Sequence, residues 1–317
     1  MLKKYFIGVD LGGTKIATGI VDSEGNLLAT VKVPTLAEDG WEAVSRRMGD
    51  TIDEVLTKAN VKASDVGAIG VCAPGALDIP NGIVLGSPNL KWHNVPLKKI
   101  IEDRFHIPTY FDNDANVAGL GENRFGAGIG SKHMLYMTVS TGIGGGIIID
   151  GQIYHGSSFG AGEIGHITID INGPRCGCGN YGCIEAIASG PAIARNAKEK
   201  LADHPESLLN QYATITAKEV SEAANNGDAY AKEVIETAGR YIGATLSGLI
   251  NTLNPDLIVI GGGVSNMGEL LFNPIKDEVQ KRAISSFVAN LKIVPAKLGG
   301  EVGVMGAIAL AQSAGNV

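Results

Sequence analysis

Two stretches of this chain share an unusual order: an apolar strand, a loop of glycine and threonine, and a second apolar strand with no helix between them. Residues 5–9 run into Asp10-Leu11-Gly12-Gly13-Thr14-Lys15 and the apolar pattern resumes over 16–21. Residues 134–139 run into Ser140-Thr141-Gly142-Ile143-Gly144-Gly145-Gly146, with the next strand read over 146–149. A phosphate loop of the Walker or Rossmann kind opens a helix, so this order excludes both. A turn at Asp22-Ser23-Glu24-Gly25-Asn26 and a third strand over 27–33 predict an antiparallel meander. Val44, Met48, Ile52, Val55 and Leu56 give helical spacing over 41–59, and the fully apolar run 66–73 predicts an interior, parallel strand. A helix over 97–105 and a strand over 109–112 complete the order β-β-β-α-β-α-β. A helix over 115–125 is read as carrying the chain out of this unit. The second half adds a helix over 229–253, a strand over 257–260 ending in Gly261-Gly262-Gly263, a helix over 267–282, a strand over 292–295 and a last helix from 302.

At 317 residues the chain is long for one core, and the repetition predicts a duplicated α/β unit. The first domain is expected over 1–114, with the C-terminal helix 302–317 packed on it, and the larger second domain over 115–301. Glycine, at 44 residues, is about twice its usual ~7% share and reads as many tight strand–loop–helix turns. A net charge of -7 with no basic run argues against nucleic acid as a partner. No apolar run reaches the ~18 residues of a membrane span, and residues 1–5 lead straight into a strand without a signal-peptide pattern. The expectation is a cytoplasmic protein without a membrane partner, in which four Cys read as metal ligands or buried thiols before disulfides.

In the first loop Gly12 and Gly13 let main-chain N–H groups face an anion, Thr14 adds a hydroxyl, and Asp10 can hold Mg²⁺ or its water. The same residues also make an ordinary hairpin turn; a second such loop at an equivalent place favours the anion. Gly261-Gly262-Gly263 ends a strand before a helix, where it could lie flat against adenine or ribose or merely allow close packing. Phe111-Asp112-Asn113-Asp114-Ala115-Asn116 runs from strand to helix. Asp114 there is either a helix cap or an ionised carboxylate that accepts a proton from a hydroxyl during phosphoryl transfer.

His166 and Cys176-Gly177-Cys178-Gly179-Asn180-Tyr181-Gly182-Cys183 supply one imidazole and three thiolates, a complete tetrahedral zinc set. With all four positions filled by His166, Cys176, Cys178 and Cys183, the metal would be structural. Glu163 and Glu185 flank this loop and can accept hydrogen bonds from sugar hydroxyls. Cys72 reads as a core thiol, and His93, His106, His133, His155 and His204 as structural or surface residues.

Together these motifs resemble the ROK family (repressors, open reading frames, kinases), and among its members the bacterial glucokinases, along essentially the full length. The resemblance rests on residues 10–15, 112–116, the Gly142 to Gly146 loop, Gly162-Glu163-Ile164-Gly165-His166, and Cys176-x-Cys178-Gly179-x-x-Gly182-Cys183-x-Glu185. It implies the duplicated actin-like/hexokinase ATPase fold, with ribonuclease H-like βββαβα units forming two domains around a cleft. It implies an ATP-dependent transfer to the 6-hydroxyl of glucose. Asp114 would be the general base, and Asn89, Asn113, Asp114, Glu163, His166 and Glu185 would hold the hexose. Asp10, Gly12, Gly13, Thr14, Lys15, Thr141 and Gly142 would meet the phosphates of ATP with its Mg²⁺, and Gly262 and Gly263 the adenosine. A homodimer or homotetramer is implied as well. Fructose, mannose, allose or an N-acetylated amino sugar are the alternative substrates. A sugar-responsive repressor is a remote alternative, since the first loop at residue 10 leaves no room before it for a DNA-binding domain. A filament-forming relative of actin is a third.

Overall fold

The structure is a computed structural model that describes residues 5–314. Residues 1–4 and the predicted helix end at 315–317 lie outside the described residues. The chain forms two compact units. The first comprises the described residues through Gly130, the segment Gln152–Ala161 and the residues from Lys297 onward; the second comprises Ser131–Gly151 and Gly162–Ala296. Among the described residues no helix is long and apolar enough to cross a membrane.

In the first unit, β1 (Tyr5–Leu11), β2 (Lys15–Asp22) and β3 (Leu27–Pro34) form the antiparallel meander, and α1 (Trp41–Ala59) follows. β4 (Val66–Ala73) is nearly all buried because it lies inside the sheet, parallel to β1 on one side and to β8 (Thr109–Asn113) on the other. Three short strands, β5 (Ala76–Asp78), β6 (Ile83–Ser87) and β7 (Trp92–Val95), make a small separate sheet before α2 (Leu97–Phe105). The main order is β3-β2-β1-β4-β8. On one face Ile7, Val9 and Leu11 join Val44, Met48 and Ile52 of α1 and Ile101 of α2 in one apolar cluster. On the other face the strands carry glycine. A side chain at Gly8 or Gly70 would run into the backbone of the C-terminal helix at Val304 and Ala307, so the glycines let that helix lie directly on the sheet.

The helix read as leading out of the unit, α3 (Asp114–Phe125), stays within it. α3 crosses the C-terminal helix with Gly121 against Gly306, a backbone approach that a side chain at either position would block. Its Glu122 is fully buried. One carboxylate oxygen accepts the N–H groups of Lys297 (2.9 Å) and Leu298 (2.8 Å), and the other that of Ala127 (2.7 Å). The segment Gln152–Ala161 contributes His155, whose Nε2 lies 2.6 Å from Oδ2 of the buried Asp112. Oδ1 of Asp112 accepts the N–H of Asn113 (2.7 Å) and the Asn116 amide (3.0 Å), which fixes the turn from β8 into α3.

The second unit repeats the plan. β9 (Met134–Val139) and β10 (Ile143–Ile149) are antiparallel, β12 (Leu257–Gly261) is parallel to β9, and β13 (Lys292–Pro295) is parallel to β12; the short β11 (Gln152–Ile153), between β10 and β12 in sequence, belongs to the first unit, where it packs beside α3. The order β10-β9-β12-β13 matches β2-β1-β4-β8. β10 begins at Ile143, so Gly144, Gly145 and Gly146 pair with Thr138, Met137 and Tyr136 inside the sheet, and the loop shrinks to Ser140-Thr141-Gly142. Between β11 and β12 come α4 (Ile184–Ala188), α5 (Gly190–Glu199), α6 (Ala217–Asn225) and α7 (Ala229–Leu253). After β12, a 3₁₀ turn (Gly263–Met267) precedes α8 (Glu269–Arg282), a short α9 (Ser285–Val288) follows, and α10 (Val302–Ala314) is the C-terminal helix of the first unit. α8 starts later than the predicted 267 because Gly268, at φ +59°, breaks the helix there. α7 packs along α8 through Gly239 and Gly243, which meet Pro274 and the Ile275 carbonyl.

Replacing Glu122 with Ala strips three backbone donors of a charged acceptor, and the expected loss is ~2–4 kcal/mol, read as a lower urea midpoint at unchanged m-value. His155 gives a pH signature. Its hydrogen bond to Asp112 raises the imidazole above the ordinary 6.5, with burial opposing. The pair therefore stabilises the fold fully below about pH 6.5 and loses that contribution as pH rises through the raised value. The stability gap between the natural protein and His155→Ala is expected to shrink between pH 6 and pH 8; a constant gap in urea titrations over that range would disprove the ion pair.

Candidate functional site

In the first unit the loop after β1 is closed by the Gly12 N–H donating to the Lys15 carbonyl (2.9 Å), so that amide is spent inside the hairpin. Thr35 holds the loop from outside: its hydroxyl donates to the Gly12 carbonyl (2.7 Å) and its N–H to that of Thr14 (3.0 Å). Thr14 and Lys15 are exposed. A Cβ on Gly13 would stand 3.1 Å from Cβ of Asn89, so Asn89, carried on the β6–β7 link, lies over the loop. Asp10 ends in a half-buried position against Gly303, where any side chain would strike its carboxylate. The fully buried Cys72 donates its thiol to Asp10 Oδ1 at 3.4 Å. Burial raises the Asp10 carboxyl above its ordinary value; the Cys72 hydrogen bond and then Lys15 and Lys32 oppose the rise. Burial also pushes the Cys72 thiol well up, with Asp10 and Asp114 adding to it.

β8 delivers Asn113 and Asp114 to the same end of the sheet, since Asp10, Cys72 and Asp112 are neighbours across β1, β4 and β8. Asn113 is the cap of α3, its side chain accepting the Ala115 N–H at 2.9 Å. Asp114 therefore does not serve as the cap; it occupies the first helical position, exposed, with Oδ1 at 2.8 Å from the Ala115 N–H. The helix dipole favours its ionised form there.

In the second unit Ser140 and Thr141 open a cavity of about 760 Å³, a size suited to a small organic ligand. Gly263 lines it together with Pro191 and Ala194 of α5 and Ile215 near α6. Gly262 supports it from behind. At φ +84° it packs on the Val139 carbonyl, which leaves no room for a Cβ. The walls from α5 and α6 were not read from sequence, although their starts carry local signals. Ser189 caps α5 ahead of Pro191, and Thr216 with Glu219 forms a capping box on α6.

The loop that carries the cysteines folds tightly around them. Cys176 N–H donates to the Asn180 carbonyl (2.7 Å), Gly179 N–H to that of Cys176 (3.0 Å) and Gly182 N–H to that of Pro174 (2.8 Å). Gly182, at φ +67°, abuts the Asp170 carbonyl. The ligand atoms of His166, Cys176, Cys178 and Cys183 all lie within 4.8 Å of one another. Cys176 Sγ is 3.7 Å from His166 Nδ1, and Cys178 Sγ is 3.7 Å from Cys183 Sγ. A zinc ion with Zn–S distances near 2.3 Å needs tetrahedral edges of about 3.8 Å; the two separations of 3.7 Å match this, and the remaining ones, within 4.8 Å, need only a small closure around such an ion. Burial, and then the neighbouring sulfurs of Cys178 and Cys176, push the Cys183 thiol up to about 12. A divalent cation removes that penalty by holding the ligands as thiolates.

Around the cluster, His166 turns Nδ1 to the sulfurs and Nε2 towards Glu163, at 3.9 Å from Oε2. Glu163 is exposed. Glu185 lies on the first turn of α4, with Oε1 3.8 Å from Cys176 Sγ and Oε2 accepting the Ile143 N–H at 3.0 Å. The structure thus gathers Asp10, Gly13, Asn89, Asn113 and Asp114 in the first unit. In the second it gathers Thr141 and Gly142 with Glu185 and the cluster, and Thr141 with Gly263 at the cavity.

Two curated relatives align along nearly the whole chain. The glucokinase of Halalkalibacterium halodurans is 39% identical over 311 residues, covering 96% of this chain and 94% of that protein. The glucokinase of Thermotoga maritima is 38% identical over 315 residues, covering 98% of each. Among solved structures, a ROK family glucokinase from Streptomyces griseus in complex with glucose and AMPPNP is 38% identical, with a TM-score of 0.79 over 98% of this chain and 99% of that one. The fold is accordingly the duplicated actin-like/hexokinase ATPase fold. The sequence profile of the ROK family matches residues 6–314, from the first strand to the last helix, and the chain belongs to that family.

Proposed function

We propose that this chain is an ATP-dependent glucokinase, transferring the γ-phosphate of ATP to the 6-hydroxyl of glucose to give glucose 6-phosphate and ADP. The observation that carries the reading is near-full-length identity of 38% to a relative solved with glucose and AMPPNP. The geometry supports it from each unit separately. The first presents an exposed carboxylate at a helix start beside a glycine loop, and the second a phosphate-type loop opening a cavity of about 760 Å³.

In this reading Asp114 accepts the hydroxyl proton as the phosphoryl group transfers, and Asn113 and Asn89 orient the sugar. Glu163, His166 and Glu185 accept hydrogen bonds from other sugar hydroxyls, His166 through the Nε2 that faces away from the sulfurs. Gly13, Thr14 and Lys15, with Gly12 bracing their loop through its hairpin bond, and separately Thr141 and Gly142 are assigned to the phosphates of ATP. The adenosine end occupies the cavity beside Gly262 and Gly263. Asp10 would hold Mg²⁺ or its water, and its seat against Gly303 and the Cys72 thiol suits a carboxylate kept in one orientation. The four-ligand cluster would hold a zinc ion whose contribution is structural, since no position is left open for substrate. A cytoplasmic homodimer or homotetramer completes the proposal.

Asp114→Asn is expected to lower kcat by ~10²–10⁴ with glucose binding retained; a near-normal kcat would remove Asp114 from the role of base. Coupled assays against glucose, fructose, mannose, allose and N-acetylated amino sugars test the substrate, and glucose is expected to give the highest kcat/KM. Cys178→Ser is expected to lose the bound metal, read by elemental analysis, together with sugar affinity. The natural protein lacking zinc by the same measurement would end the metal assignment.

A further inference from the structure

The phosphate-type loop of the second unit is tied to the metal cluster at three places, and all of them converge on Ile143 and its neighbours. The Ile143 N–H donates to Glu185 Oε2 at 3.0 Å. Gly165, next to His166, lies so close to the Ile143 carbonyl that a side chain there would overlap it. Gly145 packs in the same way on Ile164 and the Gly162 carbonyl. Glu185 is anchored in turn: it follows Cys183 by two residues, and the N–H of Ile184 donates to the carbonyl of Ile167 at 2.9 Å, beside His166. The other carboxylate oxygen of Glu185 faces Cys176 Sγ at 3.8 Å. Gly142 makes room for this arrangement, because a Cβ on it would stand 2.5 Å from Glu185 Oε2.

A main-chain N–H held by a carboxylate is a charge-assisted bond, and Ile143 is only 5% exposed, so water does not readily replace it. Ser140 is also held, by the Gly190 N–H on its carbonyl (2.8 Å) and by its own N–H on the Gly142 carbonyl (2.8 Å), so the Glu185 bond anchors the other end of the loop, where Gly142 has the most freedom to lose. We propose that Glu185 is a positioning residue for the nucleotide: through the Ile143 N–H it locks Ser140-Thr141-Gly142 to the cluster of His166, Cys176, Cys178 and Cys183, so that metal occupancy sets the affinity of the second unit for a nucleoside triphosphate. This goes beyond the sugar contact assigned to Glu185 above and rests on the reading of the loop as a nucleotide site.

The test is calorimetric titration of the full chain with Mg·AMPPNP in the absence of any sugar, with metal content measured in every sample. The natural protein, Glu185→Gln, Glu185→Ala, and the natural protein stripped by a chelator are compared. Glu185→Ala is expected to raise Kd about tenfold while keeping its metal, whereas Glu185→Gln, which retains an acceptor oxygen, stays within about twofold. Stripping the metal is expected to raise Kd by at least about tenfold, and adding zinc back to restore it. A natural Kd in Glu185→Ala, or in the stripped protein, overturns the proposal. If one of these two samples fails to fold, by circular dichroism, the other alone decides. A natural protein that binds no AMPPNP at all overturns the nucleotide reading and this inference with it; binding that ignores Glu185 and the metal overturns the inference alone.

Discussion

Direct contact between backbones organises both units, and glycine makes it possible. α10 rests on β1 and β4 only because Gly8 and Gly70 present no side chain to the carbonyls and amides of Val304 to Ile308. It crosses α3 only because Gly121 and Gly306 meet. In the second unit Gly239 and Gly243 do the same for α7 and α8, and Gly145 and Gly165 for the strand β10 and the segment that leads to His166. Such approaches place main-chain dipoles and loop ends with little slack, which a site built from backbone amides requires.

Where backbones come this close, their free N–H groups need acceptors, and this chain uses buried or half-buried carboxylates for the purpose. Glu122 collects the N–H groups of Ala127, Lys297 and Leu298, Asp112 that of Asn113, and Glu185 that of Ile143. Each such acid stands at the root of a loop or turn and not at its tip. The acids at the tips, Asp114 and Glu163, stay exposed. Carboxylates that hold the scaffold are thus buried or half-buried, and those of Asp114 and Glu163 face solvent.

Much of this was legible in the sequence wherever the signal is local. The apolar spacing of α1 and α7 and the unbroken apolar runs of β4 and β9 give the observed bounds directly. The signal failed where a residue's role depends on a distant neighbour. Gly144 and Gly145 look like loop by composition, yet they are strand, paired with Thr138 and Met137, and Ile164 and Gly162 occupy the space a side chain on Gly145 would take. The abundance of glycine was read as turns, whereas much of it serves close packing inside elements. The helix 115–125 looked like an exit because nothing near it announces α10, more than 170 residues later, as its partner. His155 carried no sign of its pairing with Asp112, 43 residues away. The chemistry-bearing loops were visible as motifs, but the cavity walls from α5 and α6 were not. Caps mark where those helices start and say nothing of what they face.

The two units solve the same placement problem with different means. In the first, the glycine loop is closed by a hairpin bond from Gly12 and steadied by Thr35 from the end of the meander, so the sheet itself provides the support. In the second, the equivalent loop is held at Ser140, whose carbonyl accepts the N–H of Gly190 at the start of α5 (2.8 Å). Further support comes from Glu185 and the segment at His166, both adjoining the cysteine loop. That loop is a poor candidate for self-support, since it is built from exposed turns and isolated bridges between Thr168 and Cys183 and between Arg175 and Tyr181. A metal ion held by the one imidazole and three sulfurs gathered there would supply that loop with rigidity through ligand bonds. The two loops thus differ in where their braces come from: the first from residues next to it in the meander, the second from helix starts and a cysteine loop more than 20 residues further along the chain.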